Sequence, residues 1–203
     1  MMRKLLFAAS LALTAGLAGA TASVGQPAPA FTAVDAAGKT VSLADFKGRT
    51  VVLEWVNPGC PFVQKHYGAA NMQATQKDAA SKGVVWLAIN STATDAGDYL
   101  RPAEMAQWMR TQKSAATATL MDSDGKVGRA YGARTTPHLY IVDPTGKLVY
   151  AGGIDNKPST NPADVTGATN YVKAALNETL AGKPVSQAST RPYGCSIKYS
   201  SGA

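Results

Sequence analysis

The segment Val84-Val-Trp-Leu-Ala-Ile-Asn90 is apolar up to its last residue and shows no alternation. A strand with one face in water alternates; one covered on both faces does not, so this run belongs at the centre of a sheet between two layers. Thr50–Val56 has a similar character, and residues 62–82 carry helical patterning that stops at Gly83. Strand, crossover helix and strand of this kind specify an α/β arrangement built around a sheet. The remaining segments extend it. Phe31–Asp35 and Thr40–Leu43, flanking Ala36-Ala-Gly-Lys39, read as a small hairpin. Pro102 opens a helix to about Lys113, Thr117–Met121 is a strand, and Lys126–Tyr131 is a short helix. Leu139–Asp143 and Lys147–Ala151 are strands joined by Pro144-Thr-Gly146, and a last helix runs from about Pro162 to Ala181. The predicted class is α/β: a central mixed β-sheet with helices on both faces and an N-terminal β-hairpin extension.

Residues 1–22 read as a signal peptide: basic at Arg3 and Lys4, apolar and small from Leu5 to Leu17, with Ala20-Thr-Ala22 as the cleavage site. The apolar stretch ends short of the ~20 residues that span a bilayer, and no cysteine beside the cleavage site offers a lipid attachment point. The expectation is an exported protein, periplasmic in a Gram-negative cell and otherwise secreted, without a stable membrane anchor. Cleavage leaves one domain, residues 23–181, and a tail, 182–203, that carries Cys195. The formal charge of +7 includes Arg3 and Lys4, and without them the basic residues are scattered singly, without runs or aromatic interleaving, so nucleic acid is not an expected partner.

Chemistry concentrates at Cys60. The text Val56-Asn-Pro-Gly-Cys60-Pro-Phe-Val63 ends a buried strand in a turn and begins a helix. A sulfur at a helix N-terminus faces unpaired backbone N–H groups and the positive end of the helix dipole, which favour the reactive thiolate. Val63 stands where a Cys-x-x-Cys motif carries its second sulfur, so no short-range disulfide is available. Two cysteines and two histidines, His66 and His138, in no metal-binding spacing, argue against a metal centre, and no cofactor is expected. His66, six residues past Cys60, reads as a surface or packing histidine. Glu54, if buried, becomes a candidate proton shuttle.

Ala28-Pro-Ala-Phe31, Gly38–Leu43, Phe46-Lys-Gly48, Val51-Val-Leu53, Asp122-Ser-Asp-Gly125, Tyr131–Pro137 and Tyr140–Gly146 together resemble the redoxin branch of the thioredoxin-like superfamily. That branch comprises the alkyl hydroperoxide reductase/thiol-specific antioxidant peroxiredoxins and the secreted thioredoxin-like reductants. The resemblance covers nearly all of residues 27–181 and implies a thioredoxin-like fold and thiol oxidoreductase activity. It places Cys60 on the family's first, nucleophilic cysteine. It also places Pro137 on the cis-proline that shapes the substrate groove, with Thr136 presenting backbone groups to an incoming disulfide or peptide. The chain departs from peroxiredoxins at Asn57, where they carry a hydroxyl residue; Asn57, Arg134 and His138 are candidate tuning residues.

With position 63 excluded, Cys195 is the expected resolving partner. A last helix of ~19 residues, ~28 Å long, would run away from the site, and the tail after Ala181 spans up to ~45 Å, enough to return. The aromatic and apolar residues around Cys195 suggest that the segment docks. The implied activity uses Cys60 on a disulfide or a peroxide, with a thiol protein as reductant. The alternative is a non-catalytic thioredoxin-fold scaffold with a structural Cys60–Cys195 disulfide.

Overall fold

The structure is a computed structural model that describes residues 21–201; most of the expected leader lies outside the described residues. The strands are β1 (Thr32–Asp35), β2 (Thr40–Ser42), β3 (Val51–Trp55), β4 (Val85–Asn90), β5 (Ala118–Met121), β6 (Thr135–Thr136), β7 (His138–Val142), β8 (Leu148–Gly152) and β9 (Cys195–Ser196). The helices are α1 (Pro61–Gly68), α2 (Asn71–Ser81), α3 (Pro102–Thr111), α4 (Lys126–Tyr131) and α5 (Tyr171–Leu180). Seven strands form one sheet in the order β2-β1-β5-β4-β3-β7-β8. β3, β4 and β5 are parallel, while the hairpin β1–β2 and the strands β7 and β8 are antiparallel at the two sides. The sheet is therefore mixed and covered on both faces, a thioredoxin-like α/β fold.

β3 and β4 are buried at every residue, and successive side chains serve opposite layers. Val52 and Val56 join Trp86 and Ala88 under α1, α2, α3 and α5, whereas Val51, Leu53 and Trp55 join Leu87 and Ile89 under α4 and the N-terminal segment. The helix-rich side also encloses a carboxylate, Glu54, at 0% exposure. Among the described residues no helix is long and apolar enough to cross a membrane.

Two expectations are corrected. The helical stretch 62–82 is two helices, broken at Ala70, whose φ of 56° is left-handed. In a straight helix, residues 67 and 76 fall on opposite faces at 100° per residue. The break instead brings both Tyr67 and Gln76 to the Glu54 carboxylate, at 3.0 and 3.1 Å. The last helix is also shorter. Pro162–Val165 is a separate 3-10 turn, and α5 restarts where the Asn170 side chain accepts from Lys173 N. Ten residues make α5 ~15 Å long rather than ~28 Å.

Candidate functional site

The strand β3 delivers the chain to the end of the sheet, and the Asn57-Pro-Gly turn reverses it into α1. The Asn57 side chain accepts from Gly59 N at 2.7 Å and its carbonyl accepts from Cys60 N at 3.0 Å, which fixes the turn. Cys60 is the N-cap of α1 in extended conformation, and Pro61 follows at the first helical position, where no N–H is needed. Cys60 is 2% exposed and forms part of the helix-side core.

Across from it, the Thr136–Pro137 peptide bond is cis. The Cys60 thiol donates to the Thr136 carbonyl at 3.0 Å. The same residue carries the tail: β9 pairs with β6 antiparallel, with Thr136 opposite Cys195 and Thr135 opposite Ser196. Both sulfurs thus meet at Thr136, and both are free thiols. Gly194 makes this approach possible. A Cβ there would lie 2.0 Å from Thr136 O, and its φ of 140° is one that side-chain-bearing residues rarely adopt.

The two thiols are electrostatically unequal. Burial raises the Cys60 pKa, but the Cys195 and Thr136 side chains and the backbone N–H of Val63 outweigh it, leaving Cys60 below an ordinary thiol. Cys195 is pushed up to about 12 by burial and by the adjacent Cys60. The first proton to leave the pair therefore leaves Cys60, with Cys195 retaining its own.

The tail is anchored on both sides of Cys195. Upstream, Thr190 N donates to Ala151 O at 3.2 Å, and its hydroxyl meets Tyr150 OH at 2.6 Å. The Tyr193 hydroxyl donates to Asp155 Oδ1 and lies 2.9 Å from His66 Nε2. Asn71 Nδ2 donates to His66 Nδ1 at 2.9 Å, which leaves Nε2–H to donate to Tyr193 and fixes the tautomer. Downstream, Ile197 N donates to Arg134 O at 2.9 Å and Ala93 N donates to Lys198 O at 2.8 Å. The Lys198 ammonium pairs with Asp98 at 2.7 Å, and Tyr199 OH donates to Ala133 O at 2.8 Å.

His66 is therefore neither a surface residue nor simple packing; it is 0% exposed and ties α1 to the tail. Burial holds it neutral, with a pKa of about 4 despite the Asp155 carboxylate. The aromatic residues flanking Cys195 signalled docking in the sequence. His66 and Asp155 carried no such signal, because their partner lies more than a hundred residues from His66.

The tuning candidates divide differently from expectation. Asn57 Nδ2 is committed to Thr92 Oγ1 at 2.9 Å and Asp98 Oδ2 at 3.0 Å, so it orders the turn and the 91–98 loop. Arg134 is exposed and contributes its carbonyl to the tail. His138 is buried against Tyr140, with ring centroids 4.5 Å apart, and its Nδ1 accepts from Arg134 N at 3.4 Å. Burial, then Arg134, lowers its pKa to about 4, which leaves it neutral against Tyr140 and the Arg134 backbone. Glu54 is enclosed: Tyr67, Gln76 and Trp86 all donate to its carboxylate, the last at 2.7 Å, and none of these bonds leads to Cys60.

The AhpC/TSA family model matches residues 24–151. Thiol-disulfide oxidoreductase ResA of Bacillus thuringiensis subsp. konkukian is 25% identical over 128 residues, covering 62% of this chain and 67% of the relative. A crystal structure of an uncharacterized conserved protein from Geobacillus kaustophilus is 30% identical with a TM-score of 0.78, covering 89% of this chain and 94% of that one. A hypothetical protein from Sinorhizobium meliloti 1021 superimposes with a TM-score of 0.75 at 26% identity, covering 90% of this chain and 98% of that one. The family match ends at residue 151, so Cys195 lies beyond it. The chain belongs to the AhpC/TSA family, and with the thioredoxin-like fold and these relatives it is a thiol oxidoreductase.

Proposed function

We propose that the chain performs thiol–disulfide exchange in an exported compartment, with Cys60 and Cys195 as one redox couple that cycles between dithiol and disulfide. The observation that carries this reading is the convergence of both sulfurs on Thr136: Cys60 through its hydrogen bond and Cys195 through the strand register. Cys60 is the thiolate-bearing member, and Cys195 is its disulfide partner. A thiol protein exchanges electrons with the pair, and Pro137 and Thr136 shape the groove. The commitment of the Asn57 amide to Thr92 and Asp98 favours a disulfide over a peroxide as substrate, since neither of its N–H groups remains to hold a peroxide oxygen. The leader-like residues 1–22 support export.

The test is to treat reduced protein with oxidised glutathione or with hydrogen peroxide and to follow intact mass and alkylatable thiols. The expected product is a chain lighter by two hydrogens with Cys60 joined to Cys195, formed faster with the disulfide. Cys60→Ser and Cys195→Ser should each abolish it. Retention of two alkylatable thiols with both oxidants rejects the redox couple, and faster reaction with peroxide rejects the substrate class.

A further inference from the structure

We propose that a cavity beside the tail binds a small zwitterion, a free amino acid or short peptide whose carboxylate pairs with Arg191 and whose ammonium meets Asp155. The cavity has a volume of about 570 Å³ and is bounded by Thr135, Tyr171, the 155–158 loop and tail residues 191–194. That volume lies within the range of small-molecule pockets. Neither sulfur lines it, so this site stands apart from the redox couple proposed above. Its closed end carries a carboxylate that the fold leaves half satisfied. Asp155 lines the cavity yet is only 2% exposed. Its Oδ1 accepts from the Tyr193 hydroxyl and from Lys157 N at 2.9 Å. Its Oδ2 is buried and has no hydrogen-bond partner. His66 Nε2 stands 4.0 Å from that oxygen, beyond hydrogen-bonding distance, and directs its proton to Tyr193. A buried carboxylate oxygen without a donor is costly, and an arriving ammonium recovers that cost through a charge-assisted bond.

The opposite charge comes from the tail. Arg191 is exposed and, among the described residues, forms no ion pair. Its planar guanidinium matches a carboxylate through two parallel hydrogen bonds. The carbonyls of Arg191 and Asp155 both approach the Cβ position of Gly153, at 3.0 and 3.5 Å, so the two residues border one short stretch of chain. A simple anion would be drawn to Arg191 and repelled by Asp155, and a simple cation the reverse. A ligand that carries both charges satisfies both. The remaining walls include the rings of Tyr171 and Tyr193 with Pro158 and Pro192, flat apolar surfaces that suit an amino acid with an apolar side chain.

The site is shared between two parts of the chain. Arg191, Tyr193 and Gly194 belong to the tail, whereas Asp155 and Tyr171 belong to the domain. The cavity therefore exists only while the tail is seated, and a ligand that binds it favours the seated state. Cys195 follows Gly194 directly, so an occupied cavity holds that cysteine in its register opposite Thr136.

The experiment titrates the full reduced protein by isothermal calorimetry with two probes, phenylalanine and the dipeptide Ala-Phe, each to about 10 mM. The expected result is saturable one-to-one binding of at least one probe with a Kd of about 1 mM or below. N-acetyl-Ala-Phe and Ala-Phe amide each lack one charge and should bind roughly tenfold more weakly or worse, the scale of one lost charge-assisted hydrogen bond. Arg191→Ala should weaken the dipeptide by a similar factor, and its exposed position keeps the fold intact, which circular dichroism checks. Gly194→Ala, whose Cβ would lie 2.0 Å from Thr136 O, unseats the tail wall and should lose binding. No saturable binding by either probe, equal affinity for capped and free peptides, or unchanged affinity in Arg191→Ala overturns the site. Unchanged affinity in Gly194→Ala overturns its dependence on the seated tail.

Discussion

Oxidation of the Cys60–Cys195 pair is expected to stabilise the fold far more than a short active-site disulfide would. The bond closes a loop of about 135 residues, and the loop-closure relation gives roughly 17 cal/mol/K, or ~5 kcal/mol at 25 °C. Strain on the folded side is small, because the reduced protein already holds Cys195 opposite Thr136 and Cys60 against the same residue. For a chain of this size each kcal/mol moves Tm by ~2–4 °C, so the oxidised protein should melt about 10–20 °C above the reduced one. Differential scanning calorimetry of the two forms measures this directly, with Cys195→Ala as the control that should show no redox-dependent shift. A difference below ~2 °C would refute the reasoning. It would mean either that the sulfurs do not join or that the seated tail loses as much on bonding as the unfolded chain does.

Gly194→Ala brings a Cβ to 2.0 Å from Thr136 O and should unseat β9. Cys195 then meets Cys60 only at the concentration of a loose tail, and disulfide formation should slow by roughly tenfold or more in a quenched alkylation time course. Tyr193→Phe removes the hydroxyl between Asp155 and His66, leaving buried polar groups without their partner. About 2 kcal/mol is lost, so reduced protein should melt ~4–8 °C lower, and an unchanged Tm would remove the network as the tail's anchor. Burial pushes the Glu54 pKa from 4.5 to about 7, against the opposing hydrogen bonds from Trp86, Tyr67 and Gln76. The folded chain thus keeps a proton that the unfolded chain has released, and this group's stabilisation falls as pH rises from 4.5 to 7, by roughly 3 kcal/mol. His66 and His138, both lowered from 6.5 to about 4, act oppositely: stability falls as pH drops through that window. Denaturant titrations of wild type and Glu54→Gln across pH isolate the carboxyl term, and parallel curves would contradict it.

Much of the fold was legible along the chain because its signals are local. Unalternating runs marked β3 and β4 as doubly covered, Pro102 and Gly83 marked helix limits, and Pro144-Thr-Gly146 marked the β7–β8 hairpin. The break at Ala70 was not legible, because it serves Glu54, a residue on another element. Similarly, the restart of α5 depends on the Asn170 cap rather than on the apolar pattern.

The same division runs through the site. Composition and spacing alone determined that Cys60 begins a helix after a buried strand, that Val63 denies it a near partner, and that a second sulfur must come from the tail. Tertiary structure decided where that sulfur sits. It placed Cys195 against Thr136, anchored it through Tyr193 to His66 and Asp155, and made Cys60 the inner and Cys195 the outer thiol. Backbone pairing and burial join residues far apart in the chain, and they depend on how elements pack rather than on the text of any one of them. The sequence therefore names both cysteines, while only their surroundings in space decide which one ionises first.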